Sequence, residues 1–425
     1  MSSVNTMATL RERTVPSPSP RHRLEGTPRI LIVSENESVP SDRRVWAIST
    51  SLACAGAEVI VVCPQGDEGE RAAGEYARHE VREGIQIHRF PLRFAVGGPV
   101  GYFREYTSAF CRVWRMVARL SQERPFDVVH ACNPPDFMLF AAWPARRRGA
   151  RLIFDHHDLT PELFTTRFGS RPRLVHQALL TLERMAFAAA DVVIATNESY
   201  ADVAVTRGRK RRDDVFVVRN GPELRTFRPT APDASLKRGM PLLISFVGVM
   251  APQDGVDHAL RALALLRTRR DDWHAVIAGE GPARPGLMRL ADELGLSDVV
   301  DFPGWLDDLH IKRLLCTSDV CLAPEPPTPL NDRSTMVKIA EYMAMARPVV
   351  SYDLYESRLA AADAGTYAAP GDVGSFAQQI DELLDDPDRR ARMGQAGRAR
   401  VEGALSWECS ELVLLDAYAA ALRAP

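Results

Sequence analysis

Cysteine is sparse in this 425-residue sequence, and lysine is rarer still. The seven cysteines, Cys54, Cys63, Cys111, Cys132, Cys316, Cys321 and Cys409, are odd in number and scattered, with no C-x-x-C pair. Neither a disulfide framework nor a zinc site is expected, and a reducing compartment, the cytoplasm, follows. No apolar run approaches the ~18 residues of a membrane span. Residues 1–27 lack the apolar core of a secretory signal and of a strand, so a disordered tail is expected there. The only D-x-D is Asp386–Asp388, inside LLDDPDRR, which has the form of a turn between helices. No metal site and no covalent carboxylate nucleophile are therefore expected. A nucleic-acid partner is not expected either.

What is present suits a soluble globular chain: 46% hydrophobic and 25% charged residues. The length implies two domains of about 150–200 residues. The formal net charge of −2 is uneven. Residues 1–220 hold 31 basic and 25 acidic residues, and residues 221–425 hold 22 and 30. A basic first half suits an anionic partner such as the inner membrane face, with peripheral association. Scatter between two domains is the plainer reading and is slightly preferred. Lysine occurs only at 210, 237, 312 and 338, so a lysine inside a motif carries more information than an arginine.

Short apolar runs alternate with amphipathic stretches. Strands are expected at 30–34, 58–64, 127–131, 151–155, 191–196 and 215–220, with a helix at 45–56. The second half repeats the pattern: strands at 241–248, 274–281, 299–305, 319–325 and 347–353, with helices at 255–266 and 334–346. Such alternation implies two parallel, doubly wound α/β sheets. The expected organisation is a first domain over 28–222, a Pro-rich linker over 223–240, a second domain over 241–405, and a last helix over 406–425 that packs back on the first. Two such domains face each other across a cleft at the carboxyl ends of their strands, where ligands bind.

The segment APEPPTPLNDRSTMVKIAEYMAMARPVV (323–350) is the most informative. A strand ends at Ala323, and a helix is expected from about Ser334, capped by Asp332 or Ser334. Its free amides and positive dipole end make a diphosphate site. Glu341, two turns in, can accept from both hydroxyls of a ribose. An ordinary capped helix with a surface glutamate is an equal alternative. The amphipathic stretch 101–120 carries Arg104, Arg112, Arg115 and Arg119 among aromatics. A core-facing helix with solvated arginines is preferred there over a membrane-binding one.

In order and spacing, SDRRVWAISTSLACAGAEVIVVCP, FDVVHACNPPD, FDHHDLTPE, VVRNGPEL, FVGVMAPQDGVD, IAGEGP, VDFPGW and KIAEYMAMARPVV resemble glycosyltransferase family 4 over about residues 28–423. The resemblance implies the GT-B fold and transfer of a sugar, with retention, from a UDP-, GDP- or ADP-sugar. The nucleotide sugar is then a co-substrate, and no cofactor is expected. By position, Glu341 corresponds to the ribose-holding glutamate. Ser334, Thr335, Met336 and Val337 correspond to the backbone at the distal phosphate. Gly304 and Trp305 match the turn that meets the base. Gly279 and Gly281 match a glycine turn beside the nucleotide, and Gly248 ends the strand next to it.

The sequence departs from the family in three places. Arg333 stands where a second glutamate is usual, and Val249 and Asp254 stand where an Arg and a Lys usually clamp the diphosphate. Arg333 and Lys338 are expected to supply the missing positive charge from the other loop. In the first half, His157 falls where the family places a histidine beside the donor sugar. His156 and Asp158 flank it at a strand's carboxyl end. Asp42, Arg43 and Arg44 in SENESVPSDRRVW either meet an anionic acceptor or cap a helix. His130 and Asn133 are weaker acceptor-side candidates. Without a carboxylate nucleophile, the leaving phosphate itself is expected to deprotonate the acceptor. The acceptor is a glycan, a lipid-linked glycan or a small molecule. Two other readings are a non-catalytic sugar-nucleotide-binding scaffold, motivated by the three departures, and a sugar-nucleotide epimerase, against which Glu341 and VVRNGPEL argue.

Overall fold

The computed structural model describes residues 24–66, 77–92, 98–169 and 173–423. The strands are β1 (Arg29–Val33), β2 (Glu58–Pro64), β3 (His79–Arg82), β4 (Ile85–Phe90), β5 (Val128–Cys132), β6 (Arg151–His156), β7 (Val192–Ala195) and β8 (Val215–Val217). After these come β9 (Leu242–Val247), β10 (Trp273–Ala278), β11 (Val300–Gly304), β12 (Val320–Ala323), β13 (Val349–Tyr352) and β14 (Gly365–Ala368). The helices are α1 (Arg43–Cys54), α2 (Gly98–Glu123), α3 (Trp143–Arg146), α4 (Thr160–Phe168), α5 (Arg173–Ala189), α6 (Glu198–Thr206) and α7 (Val256–Arg267). They continue with α8 (Arg284–Glu293), α9 (Asp308–Thr317), α10 (Val337–Ala344), α11 (Tyr355–Ala361), α12 (Val373–Asp385), α13 (Pro387–Arg400) and α14 (Trp407–Arg423).

The chain divides into two compact units. Residues 1–130, 141–151 and 418–425 form the first, and residues 131–140 and 152–417 the second. In the first unit the strand order is β3-β4-β2-β1, with the start of β5 next. β1 with β2 and β2 with β4 are parallel, and β3 with β4 is antiparallel. That hairpin, HEVREGIQIHRF, is not among the expected strands. It turns on Glu83 and Gly84, both at positive φ, which is the two-residue turn that matches strand twist. The basic side chains Arg104, Arg112, Arg115 and Arg119 of α2 are exposed, while Ala109, Val113, Val117 and Leu120 are buried. The helix thus turns an apolar stripe inward. Residues 1–23 of the expected tail lie outside the described residues. Leu24 is buried, and its amide donates to the Ala55 carbonyl at 3.1 Å.

The second unit holds β6-β7-β8 and a six-stranded parallel sheet of order β11-β10-β9-β12-β13-β14. Its strands are apolar on both faces because helices cover both. In β9, Leu242, Ile244 and Phe246 enter one core cluster, and Leu243 and Val247 enter the other. Tyr342 is fully buried in α10. Its hydroxyl accepts from the Val247 amide at 2.9 Å and donates to the Leu322 carbonyl at 3.1 Å. That pins α10 to the ends of β9 and β12. Among the described residues, no helix is long and apolar enough to cross a membrane.

Candidate functional site

The expected helix over 334–346 is shorter than the sequence pattern suggests. Asn331–Arg333 form a single 3₁₀ turn, and the helix proper is Val337–Ala344. Two side chains that were expected to cap it are used elsewhere. Ser334 is extended, and its hydroxyl donates to the Leu330 carbonyl at 2.7 Å. The Asp332 carboxylate accepts from the Tyr355 amide at 2.9 Å. The cap position falls on Met336, whose thioether is only a weak acceptor and makes no such bond, so the first turn of α10 has no side-chain cap. Ser334 lies outside the helix, so it shares no helix face with Lys338.

This first turn opens on a cavity of about 320 Å³ within the second unit. Ser334, Thr335, Met336 and Val337 form one part of its wall, and His157, Asp158, Arg219 and Asp254 contribute others. His157 follows β6, and its Nδ1 stands 3.7 Å from the carboxylate of fully buried Asp155. The loop that carries it is stapled by Asn133. The Asn133 carbonyl oxygen accepts from the His157 and Asp158 amides at 2.9 and 3.0 Å. Its Nδ2 donates to the Asp158 carbonyl and to Asp136. Asn133 is fully buried, so it serves the loop and not an acceptor. Burial pushes the Asp136 carboxyl up to about 6.

Lys338 is buried, not solvated. Its Nζ lies 2.5 Å from Glu325 Oε1 and 4.3 Å from the centre of the Phe246 ring. A Cβ on Gly248 would stand 3.2 Å from Nζ, so glycine there makes room for the ammonium. Asp254 is close enough that Lys338 pulls its carboxyl down and Glu325 pushes it up, though burial dominates and leaves it raised. Arg333 is not part of the cavity wall. Its half-exposed guanidinium lies 3.9 Å from Glu162, which already holds Arg207 at 2.7 Å. Glu341 is half-buried on α10, one residue past the wall residue Ala340.

Three strand ends meet through glycine backbone. The Gly279 amide donates to the Gly304 carbonyl at 2.8 Å, and a Cβ on Gly279 would lie 1.8 Å from the Gly248 carbonyl oxygen. Such an approach excludes any other residue. Gly281 follows two residues on, and Trp305 beyond Gly304 is 71% exposed.

The remaining first-half candidates divide. His156 is fully buried, 3.4 Å from Glu183 and edge-on to Phe187. In the first unit, His130 is fully buried with Nδ1 2.8 Å from the Tyr418 hydroxyl. Asp42 caps α1: one carboxylate oxygen accepts from the Val45 amide at 3.0 Å and the other from Ser34 at 3.2 Å. Arg43 is exposed and Arg44 half-buried at the start of that helix. Glu35, beside them, is buried and was not singled out. Burial, with Glu105 adding, pushes its carboxyl up to about 9. Asn197, Tyr200, Glu325 and Glu356 were also missed. Asn197 carried a signal, since a strand running into T-N-E-S has the form of a capped helix start.

A family model described as a glycosyl transferase 4-like domain matches residues 41–221, and one described as glycosyl transferases group 1 matches residues 241–386. The chain belongs to the family 4 glycosyltransferases. It is similar to the D-inositol 3-phosphate glycosyltransferase of Streptomyces avermitilis, 30% identical over 57% of this chain and 54% of that protein. The chain thus spans about half the length of that relative. It is also similar to the glycogen synthase of Mycobacterium tuberculosis, 26% identical over 90% of this chain and 91% of that protein. Among solved structures, the HepE protein of Anabaena, in complex with UDP-glucose, aligns with a TM-score of 0.68 at 17% identity, over 92% of this chain and 98% of that one. The expected GT-B class of fold, two Rossmann-like α/β sheets, is the one present in this family 4 chain.

Proposed function

We propose that this family 4 glycosyltransferase moves a sugar, with retention, from a nucleoside diphosphate sugar to a glycan, lipid-linked glycan or small-molecule acceptor. The observation that carries this is the uncapped first turn of α10, which opens on the same cavity as His157. Free amides at a helix start favour a phosphate. The similar HepE protein, solved with UDP-glucose, supports a nucleotide sugar as donor. In this reading the distal phosphate lies against the backbone at Met336 and Val337, with Lys338 as the nearby positive charge. Glu341 takes the ribose hydroxyls, and the Gly304–Trp305 turn meets the base. His157 hydrogen-bonds a hydroxyl of the sugar.

The bond from the anomeric carbon to the phosphate oxygen breaks, and its electron pair stays on that oxygen. The acceptor oxygen attacks from the same face, and its proton passes to the phosphate oxygen just released. The protein contributes position and charge stabilisation. No side chain needs to exchange a proton with the reacting centre.

A non-catalytic sugar-nucleotide-binding role is the second reading. It is favoured by the Glu325–Lys338 pair, in which the lysine near the phosphate site is already compensated, and by Arg333 lying toward Glu162. One experiment separates the two. The purified chain is given UDP-, GDP-, ADP- and dTDP-sugars in EDTA, and both melting temperature and release of nucleoside diphosphate are followed. A ligand that binds only the folded state raises the melting temperature. Turnover supports the enzyme reading, a thermal shift without turnover supports the scaffold, and neither effect sinks both.

A further inference from the structure

The hydroxyls of Ser334 and Thr335, which line the cavity, are engaged with neighbouring protein groups. The Thr335 hydroxyl donates to Glu356 Oε2 at 2.7 Å and accepts from Asn197 Nδ2 at 3.1 Å. Asn197 Nδ2 also donates to the Arg333 carbonyl at 2.9 Å. The other Glu356 oxygen accepts from the Ser199 hydroxyl at 2.5 Å. Ser334 spends its proton on Leu330, so the Tyr200 hydroxyl donates to Ser334 Oγ, at 2.9 Å. Asn197 does this while capping α6, because its Oδ1 accepts from the Tyr200 amide at 2.7 Å. Glu356, Asn197 and Tyr200 are all buried. In buried surroundings such bonds are costly to leave unmade, so the set fixes one geometry.

The bonds join the start of α6 and the start of α11 to the three residues before Met336. Of these, Ser334 and Thr335 carry no regular structure that would fix their backbone, since the 3₁₀ turn ends at Arg333 and the helix begins at Val337. We infer that Asn197, Tyr200 and Glu356 form a clasp of positioning residues, which holds the Arg333–Thr335 backbone so that the amides at the start of α10 face the distal phosphate of a nucleoside diphosphate. This rests on the donor site proposed above. The side chains of Ser334 and Thr335 serve the clasp, and only their backbone serves the ligand.

The clasp acts on the distal phosphate alone, so diphosphate and monophosphate binding should separate. The probe is whichever of UDP, GDP, ADP or dTDP raises the wild-type melting temperature most, compared by calorimetry with its monophosphate. Thr335→Val and Glu356→Gln are each expected to weaken diphosphate binding about five- to tenfold, a loss the size of one or two hydrogen bonds, and to change monophosphate binding less than about twofold. Thr335→Ser, which keeps the hydroxyl, restores the wild-type value. If both ligands weaken equally, the bonds are merely structural and the clasp is wrong. Wild-type affinity in both variants overturns it too, and leaves the donor site standing. If no diphosphate binds the wild-type chain, the donor site itself falls and the clasp with it.

Discussion

The turn after β1, Ser34–Asp42, and the turn after β12, Pro324–Met336, both lead from a buried strand into a helix, and both carry serine and aspartate with arginine at or just after the turn. In the first, Asp42 caps α1, its second oxygen is taken by Ser34, and Glu35 is buried beside them. In the second, Asp332 accepts from Tyr355 beyond the turn, Ser334 donates to Leu330 within it, and the cap position falls to Met336. A capped turn spends its polar atoms on itself, whereas an uncapped one leaves amides for a ligand. The same residue types therefore make a capped turn in one place and an uncapped one in the other. The difference lies in which residue reaches the cap position.

Charge at the open turn should show the largest effect. Removing the ammonium alone would strand Glu325 as a buried charge, so Lys338→Met is paired with Glu325→Gln. The double variant is expected to stay folded and to bind the best nucleoside diphosphate about 10- to 150-fold more weakly by calorimetry, the size of a charge-assisted contact of ~1.5–3 kcal/mol. Unchanged affinity would show that the amides suffice and that Lys338 belongs to the core.

His157→Ala tests the far wall of the same cavity. If, as proposed, the imidazole meets the sugar and not the nucleotide, turnover should fall about tenfold or more while diphosphate affinity holds. Parallel losses in both would assign His157 to holding its loop.

Converting the open turn into the closed kind sharpens the contrast. Met336→Asp places an acceptor at an extended cap position, where it competes with phosphate for the same amides. Diphosphate affinity should drop about tenfold, or ~1.4 kcal/mol. Stability should stay within about 1 kcal/mol, since the new cap offsets the weaker apolar packing at this half-buried position. Tighter diphosphate binding in this variant would refute the idea of an amide site.

The smallest effect is expected at the closed turn. Asp42→Ala should cost about 1 kcal/mol in denaturant unfolding and leave both ligand affinity and turnover unchanged. A loss of turnover at full stability would instead return Asp42 to the acceptor side.

Much of this was legible beforehand. Runs such as EVIVVCP and PLLISFVG announce strands buried on both faces, and their alternation with helical stretches implies parallel α/β sheets, because apolar period and length are properties of the chain alone. Of the site-adjacent glycines at 248, 279 and 304, Gly279 is required by close backbone approach, whereas a Cβ at Gly248 or Gly304 would meet the side chains of Lys338 or Glu280. Four features were not legible. The helix start at Val337 was placed three residues early, because serine and aspartate signal a cap only if no better partner is near, and Leu330 and Tyr355 are better partners here. Lys338 gave no sign that Glu325, thirteen residues earlier, would neutralise it. Asn133 looked like a ligand contact and is a buried staple of the His157 loop. The partners of Thr335 come from two distant helix starts. Local propensity and periodicity act over a few residues, so the order of residues alone sets the strands, the helices and their layering. Which polar group satisfies which depends on residues brought together from far along the chain. That competition, settled only when the chain packs, left one helix start open and closed another.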